Sequence, residues 1–167
     1  IHFLRGEYDR VHELVSEGQR RDPENASFYR LLGRMYAKEL KFTKARVALE
    51  QSIGLDSTDA ATYVDLAQVE VKLRDYTAAE YASRRSIELD PLEKEAYFVL
   101  ANVLRRLGKG EESRAILDQF SALDAQLDKI EDQLRMLGND PDDHEARAML
   151  GLLYARQGRY GEAAEAY

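Results

Sequence analysis

Two histidine–glutamate pairs are the clearest candidates for metal chemistry in the sequence. His12–Glu13 and His144–Glu145 each begin the pattern in which two histidines four residues apart hold zinc and the glutamate acts as a base. The second histidine is replaced by Ser16 after the first pair and by Ala148 after the other. Neither pair therefore predicts a zinc-dependent protease.

Two further segments have the composition of ligand-binding loops. Counted from Asp140, the acidic segment Asn139–Glu145 has Glu145 at the sixth position of a calcium loop and Gly151 at the twelfth, where Gly and Glu are required. The segment Gly108–Ser113 lacks the Gly-x4-Gly-Lys-Ser/Thr order of a phosphate loop. We interpret the first as an acidic helix start, which the helix dipole stabilises, and the second as a turn between helices.

The sequence predicts neither catalysis nor a cofactor, because no pairing of a nucleophile with a base is visible. The chain has no cysteine, which excludes disulfides and thiolate metal sites. Its formal charge of -7 argues against a nucleic-acid partner. No apolar run approaches the length of a membrane span, so direct membrane insertion is not expected. The first and last residues favour a fragment of a longer protein.

A repeat of 34 residues organises most of the chain. Similar turn sequences begin at Gly6, Leu40 and Arg74, which are 34 residues apart, and another begins at Gly158. Between the turns, apolar residues recur three and four apart, the spacing of a helix with one buried face. Each repeat is therefore predicted to be a pair of helices, and such pairs bury their apolar faces by stacking on their neighbours.

The repeat from residue 26 to 59 carries the residues of a known pattern: an aromatic, Leu-Gly, Tyr, Ala and a large apolar residue. These are Tyr29, Leu32, Gly33, Tyr36, Ala45 and Leu49. The sequence thus resembles the tetratricopeptide repeat (TPR) family. The resemblance implies an all-α, right-handed superhelical solenoid of antiparallel helix pairs. We expect a single solenoid domain, with the second helix of a partial repeat at 1–25, repeats at 26–59, 60–93 and 94–127, and a partial repeat at 144–167.

The regular spacing stops near residue 120. Phe120 stands where Ser52 and Ser86 stand in the earlier repeats, and Ala125 replaces the proline that ends a repeat. A heptad-like stripe then follows, which predicts one extended helix at about 111–137, with a kink at 121–124 as the alternative. Its residues are Ile116, Phe120, Leu123, Leu127, Ile130, Leu134 and Leu137. We expect the last repeat to cover this stripe; pairing with another chain, missing flanks or residues lost from the middle of the molecule are alternatives.

In TPR proteins that bind peptides, fixed positions on the first helix of each pair face the concave side. Carried onto this sequence, the resemblance implies a groove lined by Arg30, Arg34, Lys38, Val64, Gln68, Lys72, Phe98, Asn102, Arg105, Arg106, Met149 and Leu152. Basic residues outnumber acidic ones at these positions, although the whole chain is acidic. A groove of this kind favours a ligand with acidic and apolar residues.

The expected function is a non-catalytic scaffold that binds a peptide or helix of another protein in the concave TPR groove. TPR domains that hold the carboxylate tail of Hsp70 or Hsp90 use lysine and asparagine where this chain has Arg30 and Arg34, so that subclass is not expected. Two alternatives stay open. The chain could be a homo-oligomerisation module using the 116–137 stripe (Phe120, Leu123, Leu127, Ile130 and Leu134), or a regulatory region of a larger enzyme.

Overall fold

The computed structural model describes residues 2–156 and 158–166, and this part of the chain forms nine helices without a strand. They are α1 (His2–Arg21), α2 (Ala26–Lys38), α3 (Phe42–Leu55), α4 (Ala60–Leu73), α5 (Tyr76–Leu89), α6 (Lys94–Arg106), α7 (Gly110–Asn139), α8 (His144–Arg156) and α9 (Tyr160–Ala166). The all-α fold of helix pairs is confirmed. The chain divides into two compact units, one ending at Leu117 and one beginning at Asp118.

Short polar side chains cap the N-termini of three first helices, α2, α4 and α8. Asn25, Asp59 and Asp143 accept hydrogen bonds from the backbone N–H groups of Ser27, Ala61 and Ala146, at 3.1, 3.1 and 2.9 Å. These bonds satisfy donors that a helix N-terminus would otherwise leave unpaired. Asp143 belongs to the acidic segment before α8, so that segment does cap a helix.

The turn inside each pair has one residue in the left-handed region of φ. Leu40 has φ 61°, Arg74 φ 62°, Gly108 φ 77° and Gly158 φ 74°. These positions match the first residue of the repeated turn sequence, so the same backbone bend closes these four pairs. The turn expected at Gly6 is absent, because Gly6 lies inside α1. Glycine adopts this bend without strain, whereas Leu40 and Arg74 adopt it at some cost.

The core of the first unit lies between neighbouring pairs. Ala45, Leu49 and Val69 form one buried cluster where α3 meets α4. A second cluster joins α4, α5 and α6 through Tyr63, Ala67, Ala79, Ala82, Val99 and Val103. Half of the second cluster is alanine, which lets these helices approach closely.

A serine hydroxyl joins the two helices of a repeat at its open end. Ser52 Oγ donates to the carbonyl oxygen of Ala26, and Ser86 Oγ donates to that of Ala60, both at 2.9 Å. Phe120, at the next equivalent position, has no hydroxyl to make this bond. Phenylalanine in place of serine at position 120 therefore removes a hydrogen bond between helices that recurs in the two preceding repeats.

The helix that begins after α6 is far longer than its counterparts. α7 extends over 30 residues, against 14 for α3 and α5, and no break interrupts it at 121–124. The expected extended helix at about 111–137 is therefore confirmed. In the second unit, Ile130 of α7 packs with Leu150 and Leu153 of α8 in a buried cluster.

Candidate functional site

A cavity of about 400 Å³ lies between α2 and α4 in the first unit. Its floor is apolar and includes Leu49 and Val69. Its polar wall consists of charged and amide side chains that extend from three helices, namely Arg34, Lys38, Asp65, Gln68, Lys72 and Glu95. Three of these six side chains are cations, and two are carboxylates.

A second cavity of about 320 Å³ lies between α4 and α6. Phe98, Asn102 and Arg106 line it on the α6 side. The two cavities share Gln68, Lys72 and Glu95, so they adjoin each other, and their lining residues come from α2, α4 and α6 among other elements. We call these two cavities together the groove.

Three basic residues of the groove occupy the same place in successive repeats. Lys38, Lys72 and Arg106 each lie in the last turn of a first helix, and consecutive members are 34 residues apart. The carbonyl groups at a helix C-terminus stabilise a nearby cation. The repeat therefore places a positive charge at the same position in the last turn of each of the three helices, where the helix dipole favours it. We call these three residues the cation row.

The free cations of the groove are Lys38 and Lys72. Within the part of the chain that the structure describes, neither side chain has an anion within ion-pair distance, and both are exposed. Arg106 lies over the ring of Tyr76, with its guanidinium carbon 5.6 Å from the ring centre, and it is also exposed. The cation row can therefore meet a ligand without first breaking an internal ion pair.

Asp65 is the internal anion of the groove. Its Oδ2 accepts a hydrogen bond from Arg30 Nε at 2.7 Å, and its Oδ1 lies 3.8 Å from Arg34 Nε. Burial raises the pKa of the Asp65 carboxyl, although the two guanidinium groups act in the opposite direction. Arg30 is consequently held by a partly buried carboxylate. Arg34 is 52% exposed and more distant, so it stays accessible.

Glu95 forms the wall between the two cavities. Its Oε1 accepts a hydrogen bond from Gln68 Nε2 at 2.7 Å, which links α6 to α4. Asn102 uses its amide within its own helix, donating to the carbonyl oxygen of Phe98 and accepting from Arg105. These bonds orient the polar side chains of the groove.

Not every residue that the sequence predicted for the groove lines it. Arg30 pairs with Asp65 beside the groove, and Val64 is buried, with 4% of its surface exposed. Arg105 is exposed but contacts Asn102 instead of either cavity. Met149 and Leu152 are half-exposed on α8 in the second unit.

The predicted stripe on α7 is partly covered within the second unit. Ile130 is 5% exposed because it packs against α8, whereas Phe120, Leu123 and Leu127 are intermediate and Leu134 is 49% exposed. The expected packing of the last repeat on the far end of the stripe agrees with this arrangement. Ile130 is thus occupied by the chain's own fold.

Two aromatic residues add to the site beyond what the sequence analysis selected. Phe42 lines the first cavity, and Tyr76 lines a third cavity of about 310 Å³ together with Lys72 and Arg106. Each is the first residue of the second helix in its pair, α3 or α5, and the two are 34 residues apart. The aromatic residue inside each repeated turn was the signal that could have identified them.

The described residues contain neither a candidate metal site nor a helix that could span a membrane. In residues 2–156 and 158–166, no group of three or more histidine, cysteine or acidic side chains has an arrangement that could hold a metal ion. In the same ranges, every helix is too short or too polar to span a bilayer.

Several solved structures have the same fold as this chain. MamA is 21% identical with a TM-score of 0.65, over 98% of this chain and 86% of MamA. YrrB, described as a TPR protein with an unusual peptide-binding site, is 22% identical with a TM-score of 0.61, over 96% of this chain and 75% of YrrB. The second TPR of Spaghetti, solved with the HSP90 peptide SRMEEVD, is 23% identical with a TM-score of 0.58, over 64% and 98% respectively.

Comparison at the sequence level gives the family. No curated protein sequence matches the chain. The family model described as tetratricopeptide repeat matches residues 64–127 and 133–167, which is more than half of the sequence. Since the helix pairs have the fold that this match requires, the chain belongs to the tetratricopeptide repeat family.

Proposed function

We propose that this protein is a non-catalytic interaction scaffold whose groove binds an extended, acidic segment of another protein. The observation that carries the proposal is the cation row of Lys38, Lys72 and Arg106. Its three residues line the two adjoining cavities of the groove, in a chain whose formal charge is -7. A local excess of positive charge on an acidic protein favours an anionic ligand at that place.

The apolar surface of the groove determines what else the ligand needs. Phe98 is 58% exposed and lines the second cavity, and Val71 and Val99 lie beside it. Removing this surface from water stabilises a complex in proportion to the apolar area buried. A ligand of alternating acidic and apolar character would meet both kinds of surface, whereas a polyanion without apolar groups would meet only the cations.

The structural relatives support a peptide as the class of ligand. Spaghetti was solved with the peptide SRMEEVD, which contains two glutamates and one aspartate, and YrrB is described as having a peptide-binding site. Binding an extended peptide to preformed helices needs little rearrangement of the scaffold. The chemistry of this groove, with exposed cations beside apolar surface, suits a ligand of that class.

The proposal is tested with three labelled peptides of equal length. One contains glutamate, leucine and proline, and the other two replace every glutamate by glutamine or by lysine. We expect the acidic peptide to bind at least about tenfold more tightly than the glutamine peptide, since losing each exposed ion pair weakens binding by a few-fold. Fluorescence anisotropy measures the affinities.

Salt serves as the control for an electrostatic origin. Raising the ionic strength from about 0.05 to 0.5 M shortens the screening length. It should therefore lower the affinity for the acidic peptide more than the affinity for the glutamine peptide. Equal affinity for the three peptides at low salt would contradict the proposal.

A further inference from the structure

The cation row has a spacing that constrains the shape of the ligand. This inference rests on the proposed function and concerns the same groove. α2, α4 and α6 are consecutive neighbours, because Arg30 of α2 bonds Asp65 of α4, and Gln68 of α4 bonds Glu95 of α6. The axes of packed helices are about 8–10 Å apart. A ligand that crosses the three helices therefore meets one cation about every 9 Å.

Different peptide conformations repeat their side chains at different distances. A β-strand rises about 3.3 Å per residue, and its side chains return to the same face after two residues, about 6.6 Å further on. This distance is shorter than the spacing between neighbouring cations. A polyproline II helix has three residues per turn and a rise of about 3.1 Å, so every third side chain points the same way about 9.3 Å further on. That step matches the spacing expected between neighbouring cations.

Aromatic side chains beside the row give an independent indication. Phe98 is 58% exposed and lines the second cavity together with Lys72 and Arg106. Tyr76 lines the neighbouring third cavity with the same two cations. Grooves that bind polyproline II segments are lined by aromatic residues, against which proline rings pack. An α-helical ligand with acids seven residues apart would span about 10.5 Å, but it does not need this aromatic lining.

We infer that the groove recognises a partner segment in the polyproline II conformation with an acidic residue at every third position. Each carboxylate meets one member of the cation row, and the residues between them, preferably proline, pack on the exposed ring of Phe98. Lys72 holds the central place because it lines all three cavities. The partner is thus a protein segment of defined spacing and not simply an acidic one.

The test compares peptides of one composition and different order. The first repeats Glu-Pro-Pro four times, and the second contains the same residues with the glutamates adjacent. A third, alanine-rich helical peptide has glutamates seven residues apart, and a single-stranded oligonucleotide supplies four phosphates. We expect the first peptide to bind about tenfold more tightly than the second, because only it can pair with all three cations at once.

Two variants locate the effect on the protein. Lys72→Ala should weaken binding of the regularly spaced peptide about fivefold and leave the clustered peptide less affected. Lys129→Ala removes the same charge from an exposed position of α7 in the second unit and should change neither affinity. Equal losses for the two variants would overturn the inference.

The possible outcomes separate this inference from the proposed function. Equal affinity for the two isomeric peptides, or tighter binding of the helical peptide, would overturn the inferred spacing of the acidic residues. The proposed binding of acidic peptides would still hold. Equal or tighter binding of the oligonucleotide would overturn recognition of a protein segment. If neither acidic peptide binds better than a glutamine-containing version, the inference and the proposed function are both overturned.

Discussion

Reversing the charges of Arg34 and Lys72 together is expected to lower the affinity for an acidic peptide about 100-fold. Each substitution by glutamate replaces an attraction by a repulsion, which corresponds to roughly tenfold per site at low salt. Arg34 lines the first cavity, and Lys72 lines both cavities of the groove. Both side chains are exposed and, within the described part of the chain, only Arg34 approaches an anion, Asp65 at 3.8 Å, so the free energy of unfolding should fall by no more than about 1 kcal/mol.

Calorimetric titration of the Arg34→Glu, Lys72→Glu variant measures this loss, with thermal melting as the check on folding. The matched control is Arg20→Glu with Arg114→Glu, which changes the net charge equally at exposed positions that do not line the groove. We expect the control to keep most of the binding. Similar losses in the two double variants would mean that net charge, and not the groove, governs binding.

Arg30 is a poor choice for such a test, even though the sequence places it beside Arg34. Its Nε donates to Asp65 at 2.7 Å, and its side chain is only 30% exposed. Glutamate at this position would put two carboxylates together in a partly buried place, which destabilises the fold itself. Loss of binding in that variant would not distinguish the groove from the fold.

Replacing Gly33 by alanine is expected to destabilise the first unit by about 2 kcal/mol. A Cβ atom at this position would lie 2.5 Å from Leu49 Cγ and 3.2 Å from the carbonyl oxygen of Ala45. The Ala45 oxygen belongs to the backbone of α3, so the two helices must shift apart slightly, and overpacking of this kind costs about 1–3 kcal/mol. The higher helix propensity of alanine restores about 1 kcal/mol of stability. A clash that costs about 3 kcal/mol therefore leaves a net loss of about 2 kcal/mol.

Gly54→Ala provides the matched control, since nothing lies within 4 Å of a Cβ atom there and the residue is also helical. For this control we expect the free energy of unfolding to rise by about 0.5–1 kcal/mol from helix propensity alone. Denaturant unfolding followed by circular dichroism measures both variants. A Gly33→Ala variant as stable as the wild type would show that α2 and α3 do not need their close approach.

The helix pairs could be predicted from the sequence because their signals are local and repeated. The recurring turn at Leu40 and Arg74 gave the boundaries, and the 34-residue period showed that one structural unit repeats. The long helix α7 was predictable for the same reason: Phe120 and Ala125 interrupt the pattern, and no helix breaker appears before Gly138.

The groove was less predictable, because it depends on which charges neutralise one another. The repeat pattern predicts Arg30 as a groove residue, but nothing in that pattern indicates that Asp65 holds this side chain. The two residues are 35 positions apart, one repeat plus one residue, so the pairing is a property of neighbouring helices. The burial of Val64 likewise follows from packing around α4 and not from its position in the repeat.

The most direct measurement of groove binding is an NMR titration of the labelled protein with the acidic peptide. We expect the amide signals of Gln68, Lys72 and Asn102 to shift on addition of the peptide, because these residues line the groove. Signals of Val47 and Tyr81, which are exposed on α3 and α5, should stay in place. Shifts confined to α3 and α5 at peptide saturation would contradict the account.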